Sequence, residues 1–146
     1  MTTNRVPEVV LGTLSSDSHT WNLIFLELLL AESGYHVHNM GACVPDDMLI
    51  DTCRELRPDL LVISSVNGHG AIDGQRVIRR LRAMPEMADM PAVIGGKLGT
   101  DGQAGAGARC DRLTTAGFDA VLEGPDAVAR LLAFTRNLNR VAGSRR

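Results

Sequence analysis

The chain has 146 residues and a formal net charge of −2, with 15 Lys and Arg against 17 Asp and Glu. That length suits one domain with a proper core. Balanced charge and an aromatic content of 3% argue against a basic nucleic-acid surface or a base-stacking platform. No signal peptide is recognisable, and the apolar run Leu23–Ala31 is too short to span a bilayer and carries Glu27, so a cytoplasmic protein is expected. Cys43, Cys53 and Cys110 lack C-x-x-C spacing and are expected to be small buried hydrophobes of a reduced protein. Arg76, Arg79, Arg80 and Arg82 crowd one helical segment and read as a solvated face.

The first strand is expected at Val9–Leu14. The stretch Asp17-Ser18-His19-Thr20-Trp21-Asn22-Leu23 follows, in the loop leading to an apolar helix. A carboxylate two residues before a histidine suits metal ligation: the imidazole binds through one nitrogen and the carboxylate accepts a hydrogen bond from the other. Taken alone, these residues favour a plainer reading, with Asp17 as a helix cap and His19 as a polar loop residue. Gly34 is expected to close the helix in a left-handed conformation before the second strand, Tyr35–Met40. His36 and His38 alternate on one face of that strand without an evident third ligand, so they read as the polar face of an edge strand.

Pro45, followed by Asp46, opens a helix whose Leu49, Cys53 and Leu56 share a face. The third strand, Leu60–Ser64, is apolar on both faces, as a strand covered by helices on each side requires. Ser64-Ser65-Val66-Asn67-Gly68-His69-Gly70 leads out of it. The fourth strand, Ala92–Ile94, ends in Gly95-Gly96, and the glycine-rich segment Gly99–Gly107 is expected to be a loop. Gly117 marks a further helix end before the fifth strand, Ala120–Leu122. After Glu123-Gly124-Pro125, the residues Val128, Leu131, Leu132 and Leu138 outline the apolar face of a last helix.

Five alternations of strand and helix imply a doubly wound α/β fold, flavodoxin-like (Rossmann-like), with a five-stranded parallel sheet in the order 2-1-3-4-5. Residues 1–146 are expected to form a single domain with its core at about 8–135 and frayed ends at 1–6 and 141–146. Such sheets bind ligands beyond the carboxyl ends of their strands where the order reverses, here between the first and third strands. Ser15, Asp17, His19, Ser64, Gly95, Gly96 and Gly124 all fall on that edge. No Walker motif is present, and the first strand lacks the glycines of a dinucleotide site. A tight turn at Gly95-Gly96 and local backbone bonds at Ser64 and Ser65 are the plainer alternatives.

Taken together, Asp17-x-His19, Ser64-Ser65-Val66 and Gly95-Gly96 resemble the D-x-H-x-x-G, S-x-L and G-G pattern of the cobalamin-binding domain found in adenosylcobalamin-dependent mutases and methionine synthase. In size and layout the chain is most similar to the small subunits of glutamate mutases, also called methylaspartate mutases. Gly34-Tyr35-His36-Val37, Gly41 to Pro45 and Ser64 to Asp73 look like their counterparts there, and the likeness covers about residues 8–135.

The resemblance implies adenosylcobalamin bound base-off, with His19 as the lower cobalt ligand and Asp17 holding its other nitrogen. The displaced nucleotide tail would lie in the crevice between the first and third strands. Ser15, Ser18, Thr20, Asn22, Ser64, Val66, Asn67, Gly68, Gly95, Gly96 and Gly124 would border the cofactor. It further implies a larger barrel subunit that holds the substrate, so this chain alone would be inactive in the isomerisation of L-glutamate to 3-methylaspartate.

Two positions depart from the pattern. Asn22 replaces its glycine and, as the best non-glycine for left-handed angles, is expected to keep the backbone conformation. Val66 replaces leucine at the loss of one methylene. His69 is expected to be a surface loop residue, while Trp21 suits a corrin edge and core packing equally. Rival readings are a corrinoid carrier for methyl transfer, a cobalamin sensor, a mutase for another acid, and a phosphoacceptor module. Methyl carriers usually bring a helical domain ahead of the corrinoid fold, whereas this chain opens almost directly on its first strand. A sensor would need a DNA-binding region, and a phosphoacceptor a carboxylate where Ser64-Ser65 stand.

Overall fold

The structure, a computed structural model, describes residues 6–14, 21–65, 70–96, 105–123 and 126–144. Its elements follow in the order β1 (Glu8–Gly12), α1 (Trp21–Glu32), β2 (His36–Asn39), α2 (Asp46–Leu56), β3 (Leu60–Ser65), α3 (Gly70–Arg82), a 3-10 turn at Pro85–Met87, β4 (Ala92–Gly96), α4 (Ala106–Ala116), β5 (Ala120–Leu122) and α5 (Ala127–Ser144). All the strand pairings are parallel and the sheet order is β2-β1-β3-β4-β5, as the alternation of strands and helices requires.

The sheet separates two apolar layers. On one side, Leu49, Ile50 and Cys53 of α2, Val77, Ile78 and Leu81 of α3 and Leu113 of α4 pack against Val10, Leu61, Ile63, Ile94 and Val121. On the other, Leu23, Leu26 and Leu30 of α1 and Leu131 of α5 meet Val9, Leu11, Leu60, Val62, Val93 and Leu122. Every residue of β3 is buried, which accounts for its apolar run without alternation.

Helix ends follow local chemistry. Gly34 has φ +97° and Gly117 φ +140°, and the Gly117 N–H reaches the Leu113 and Thr114 carbonyls. α2 ends on Arg57 with φ +45°, a left-handed non-glycine that no sequence pattern announces. Asp46 and Asp47 occupy the first turn of α2, where negative charge meets the helix dipole.

Several sequence expectations shift. β1 stops at Gly12, because Thr13 leaves the ladder and donates through its N–H and hydroxyl to the Gly41 carbonyl. α4 starts at Ala106, so the end of the expected Gly99–Gly107 loop is helical, and α5 continues to Ser144 through part of the expected frayed end. Among the thiols, Cys53 is buried, Cys43 lies exposed in the β2–α2 connection and Cys110 is partly exposed on α4. Arg76, Arg79 and Arg80 are exposed as a solvated face should be, whereas Arg82 is tied down by the Gly117 and Met87 carbonyls and by Asp119. Among the described residues, no helix is long and apolar enough to cross a membrane.

Candidate functional site

The β3–β4 register sets Ser64 beside Gly95 and Ser65 beside Gly96, so two motifs some thirty positions apart share one point on the carboxyl edge. Both serines are buried, at 4% and 0% exposure. A Cβ on Gly95 would come within 2.7 Å of the Leu122 carbonyl oxygen, and one on Gly96 would run into the Ser65 carbonyl. Gly96 also has φ +105°. The glycine pair is therefore demanded by close backbone packing among β3, β4 and β5, quite apart from any ligand.

A cavity of about 250 Å³ adjoins this point. Val62, Ile63 and Ser64 of β3, Val93, Gly95 and Gly96 of β4 and Leu122 of β5 form its base. Phe25 and Leu26 of α1 and Ala127, Val128 and Leu131 of α5 form its walls. Phe25 and Val128 are 48% and 38% exposed, so the cavity opens to solvent between the two helices. It lies over β3, β4 and β5 against α1 and α5, while the loops that border the expected β1–β3 crevice, residues 15–20 and 66–69, lie outside the described residues.

Of the sequence-selected residues, the structure brings together Ser64, Gly95 and Gly96. Ser15, Asp17, Ser18, His19, Thr20, Val66, Asn67, Gly68, His69 and Gly124 lie outside the described residues. Asn22 falls in the first turn of α1, so its backbone is helical and the expected left-handed conformation is not adopted. His36 and His38 are exposed, and His36 Nδ1 stands 3.4 Å from Glu8 Oε1. Among the described residues, no three His, Cys, Asp or Glu side chains could hold a metal together.

Sequence reasoning missed the helical walls. Leu131 was legible only as one residue of a core-facing stripe, and nothing in the pattern separates a core contact from a cavity wall. It also missed Arg109, 2% exposed, whose guanidinium faces the Glu123 carboxylate with Nε 3.2 Å from Oε1. That pair ties α4 to the chain leaving β5, the edge on which Leu122 borders the cavity.

The family model of the B12 binding domain matches residues 7–133. The chain belongs to the B12-binding domain family. Within it, the chain is 33% identical to the glutamate mutase sigma subunit of Halobacterium salinarum over 115 residues, 79% of this chain and 75% of the relative. It is 29% identical to the glutamate mutase sigma subunit of Fusobacterium nucleatum over 114 residues, 78% and 82% of the two chains.

Among solved structures, a novel cobalamin-binding protein from Desulfitobacterium hafniense superposes with TM-score 0.70 at 22% identity, covering 89% of this chain and 58% of that one. A putative response regulator from Chloroflexus aurantiacus gives TM-score 0.64 at 21% identity, covering 90% and 97%. These two share the fold, and the site distinguishes them. β3 ends in Ser64-Ser65, with no carboxylate there to accept a phosphoryl group.

The described residues fit part of a corrinoid. The cavity is below the roughly 300–1,000 Å³ that encloses a drug-sized molecule. A space of that size would take one flat ring system of such a cofactor and not its macrocycle.

Proposed function

We propose that this chain is the cobalamin-carrying subunit of an adenosylcobalamin-dependent carbon-skeleton mutase that interconverts L-glutamate and (2S,3S)-3-methylaspartate. The observation that carries the reading is the apolar cavity beside Ser64 and Gly95-Gly96 on the carboxyl edge, in a chain related to glutamate mutase sigma subunits. Adenosylcobalamin, when bound, supplies radical chemistry through homolysis of its cobalt–carbon bond.

The protein's part is ligation, orientation and exclusion of water. His19 would hold the cobalt in place of the corrinoid's own base. Asp17 accepts a hydrogen bond from the far imidazole nitrogen, which fixes the tautomer and raises the basicity of the ligand. The displaced base enters the cavity beside the Ser64 hydroxyl, with Val66 packed near it. Gly95 and Gly96 give it backbone to lie against. Ser15, Ser18, Thr20, Asn22, Asn67, Gly68 and Gly124 border the remainder of the tail and the corrin rim.

This chain, a single cytoplasmic domain over residues 1–146, works with a larger barrel subunit that holds the substrate above the corrin. Alone it does not turn over glutamate. The test is to load the purified protein with aquocobalamin, desalt it, and record the visible spectrum beside that of His19→Ala. The wild type is expected to keep the corrinoid in a base-off, histidine-ligated form, and the variant to lose that signature. An unchanged spectrum in His19→Ala would remove His19 from the cobalt. Turnover by the isolated chain would overturn the division of labour.

A further inference from the structure

One side-chain amide ties the carboxyl ends of β1 and β2 to the body of α1. Asn39, the last residue of β2, donates through Nδ2 to Glu27 Oε1 of α1 at 2.9 Å. Its Oδ1 accepts the Gly41 N–H, also at 2.9 Å. The Gly41 carbonyl in turn accepts from the Thr13 N–H at 3.4 Å and from the Thr13 hydroxyl at 3.3 Å. Each end of the amide meets a partner of the right kind, which fixes its orientation. Glu27 is the only charge on α1 ahead of Glu32, and it is half-buried, so it needs a donor where it stands.

Thr13 lies just past β1 and Glu27 on α1, and residues 15–20, with Asp17 and His19 among them, connect these two elements in the sequence. The freedom of so short a connection depends closely on where its ends are set. Resting on the reading that His19 ligates cobalt, we infer that Asn39 is a positioning residue for that ligand. By holding α1 and the exit of β1 to one point, it lowers the entropy that His19 loses on meeting the metal. Asn39 acts through the chain, with Glu27 and Gly41 as its two arms.

The test reverses the bridge. Asn39→Asp removes the donor and sets a carboxylate against Glu27, so like charges repel and the bridge opens. Adding Glu27→Gln restores the bridge with donor and acceptor exchanged, because the new carboxylate still accepts the Gly41 N–H. Glu27→Leu cuts the α1 arm alone, and supplies the same comparison where Asn39→Asp does not fold. Ile78→Val, a core change on α3 away from the bridge, controls for lost stability. Each variant is titrated with adenosylcobalamin, alone and mixed with a large mutase subunit. Affinity is read by ultrafiltration and histidine ligation from the visible spectrum. Asn39→Asp and Glu27→Leu are also made in the His19→Ala background.

Asn39→Asp and Glu27→Leu are each expected to weaken binding by about ten-fold, the scale of one hydrogen bond to a charged group. The pair Asn39→Asp with Glu27→Gln is expected to recover most of that loss, and Ile78→Val to lose nothing. In the His19→Ala background the same two changes are expected to cost no more than about two-fold, because the ligand they serve is gone. Equal losses in the two backgrounds, no recovery in the exchanged pair, or a matching loss in Ile78→Val would overturn the positioning role and leave ligation by His19 standing. Wild-type spectrum and affinity in His19→Ala, or no corrinoid binding by the wild type in either mixture, would overturn the ligation and the positioning role with it.

Discussion

Gly96 shows how much one residue can carry. Its φ of +105° is strained for any side chain, and the Ser65 carbonyl occupies the place a Cβ would take. Gly96→Ala is expected to lower the unfolding free energy by more than about 1 kcal/mol, measured by urea denaturation, because both the angle and the contact oppose it. Gly107, exposed in the first turn of α4 with nothing near its Cβ position, supplies the contrast. Gly107→Ala is expected to stabilise by about 0.4–1 kcal/mol. The sequence made Gly95-Gly96 visible as a place for close approach but not the identity of what approaches. That proved to be Leu122 and Ser65, which the chain brings up only through strand register.

Among the elements, α2 and α3 were readable and α1 only half so. Leu49, Ile50 and Cys53 share one face of α2, and Asp46 and Asp73 flank Arg76 on the polar side between the two helices. The pattern of α1 is apolar nearly all round, so its period does not reveal which side faces the sheet. Leu23, Leu26 and Leu30 are buried, while Ile24, Phe25 and Leu28 are exposed.

The tie between α4 and β5 was not readable at all, since one arginine in a polar helix looks like any other. Burial makes it consequential: the Arg109 and Glu123 side chains are 3% and 19% exposed. Glu123→Ala removes the carboxylate facing a desolvated guanidinium and is expected to cost about 3–5 kcal/mol in a denaturant titration. Replacing both partners together, as Arg109→Met with Glu123→Leu, is expected to return most of that loss, since an apolar pair needs no compensating charge.

For the molecule as a whole, topology was the legible part. Short apolar strands alternating with helices leave few right-handed arrangements, and the observed order is the leading one. The cavity was not legible, because Phe25 and Leu131 meet across it from helices far apart in the chain. The fold also sets a limit on alkaline stability. Cys53 is fully buried, and burial pushes its thiol from 9.0 up to about 12. In the unfolded chain the thiol ionises near its ordinary value, so above that pH the unfolded state holds fewer protons than the folded one. The contribution is therefore fully present below about pH 9 and is lost as pH rises toward 12. Urea midpoints are expected to fall across that window in the wild type and to fall less steeply in Cys53→Ala.

The two edges of the sheet shape the company this molecule keeps. β2 has four residues and β5 three, against six in the central β3. Short edges present few unpaired N–H and C=O groups to a passing strand, and on β2 the exposed imidazoles of His36 and His38 flank what is there. Growth into fibrils or domain-swapped ladders by strand addition has little backbone to start from.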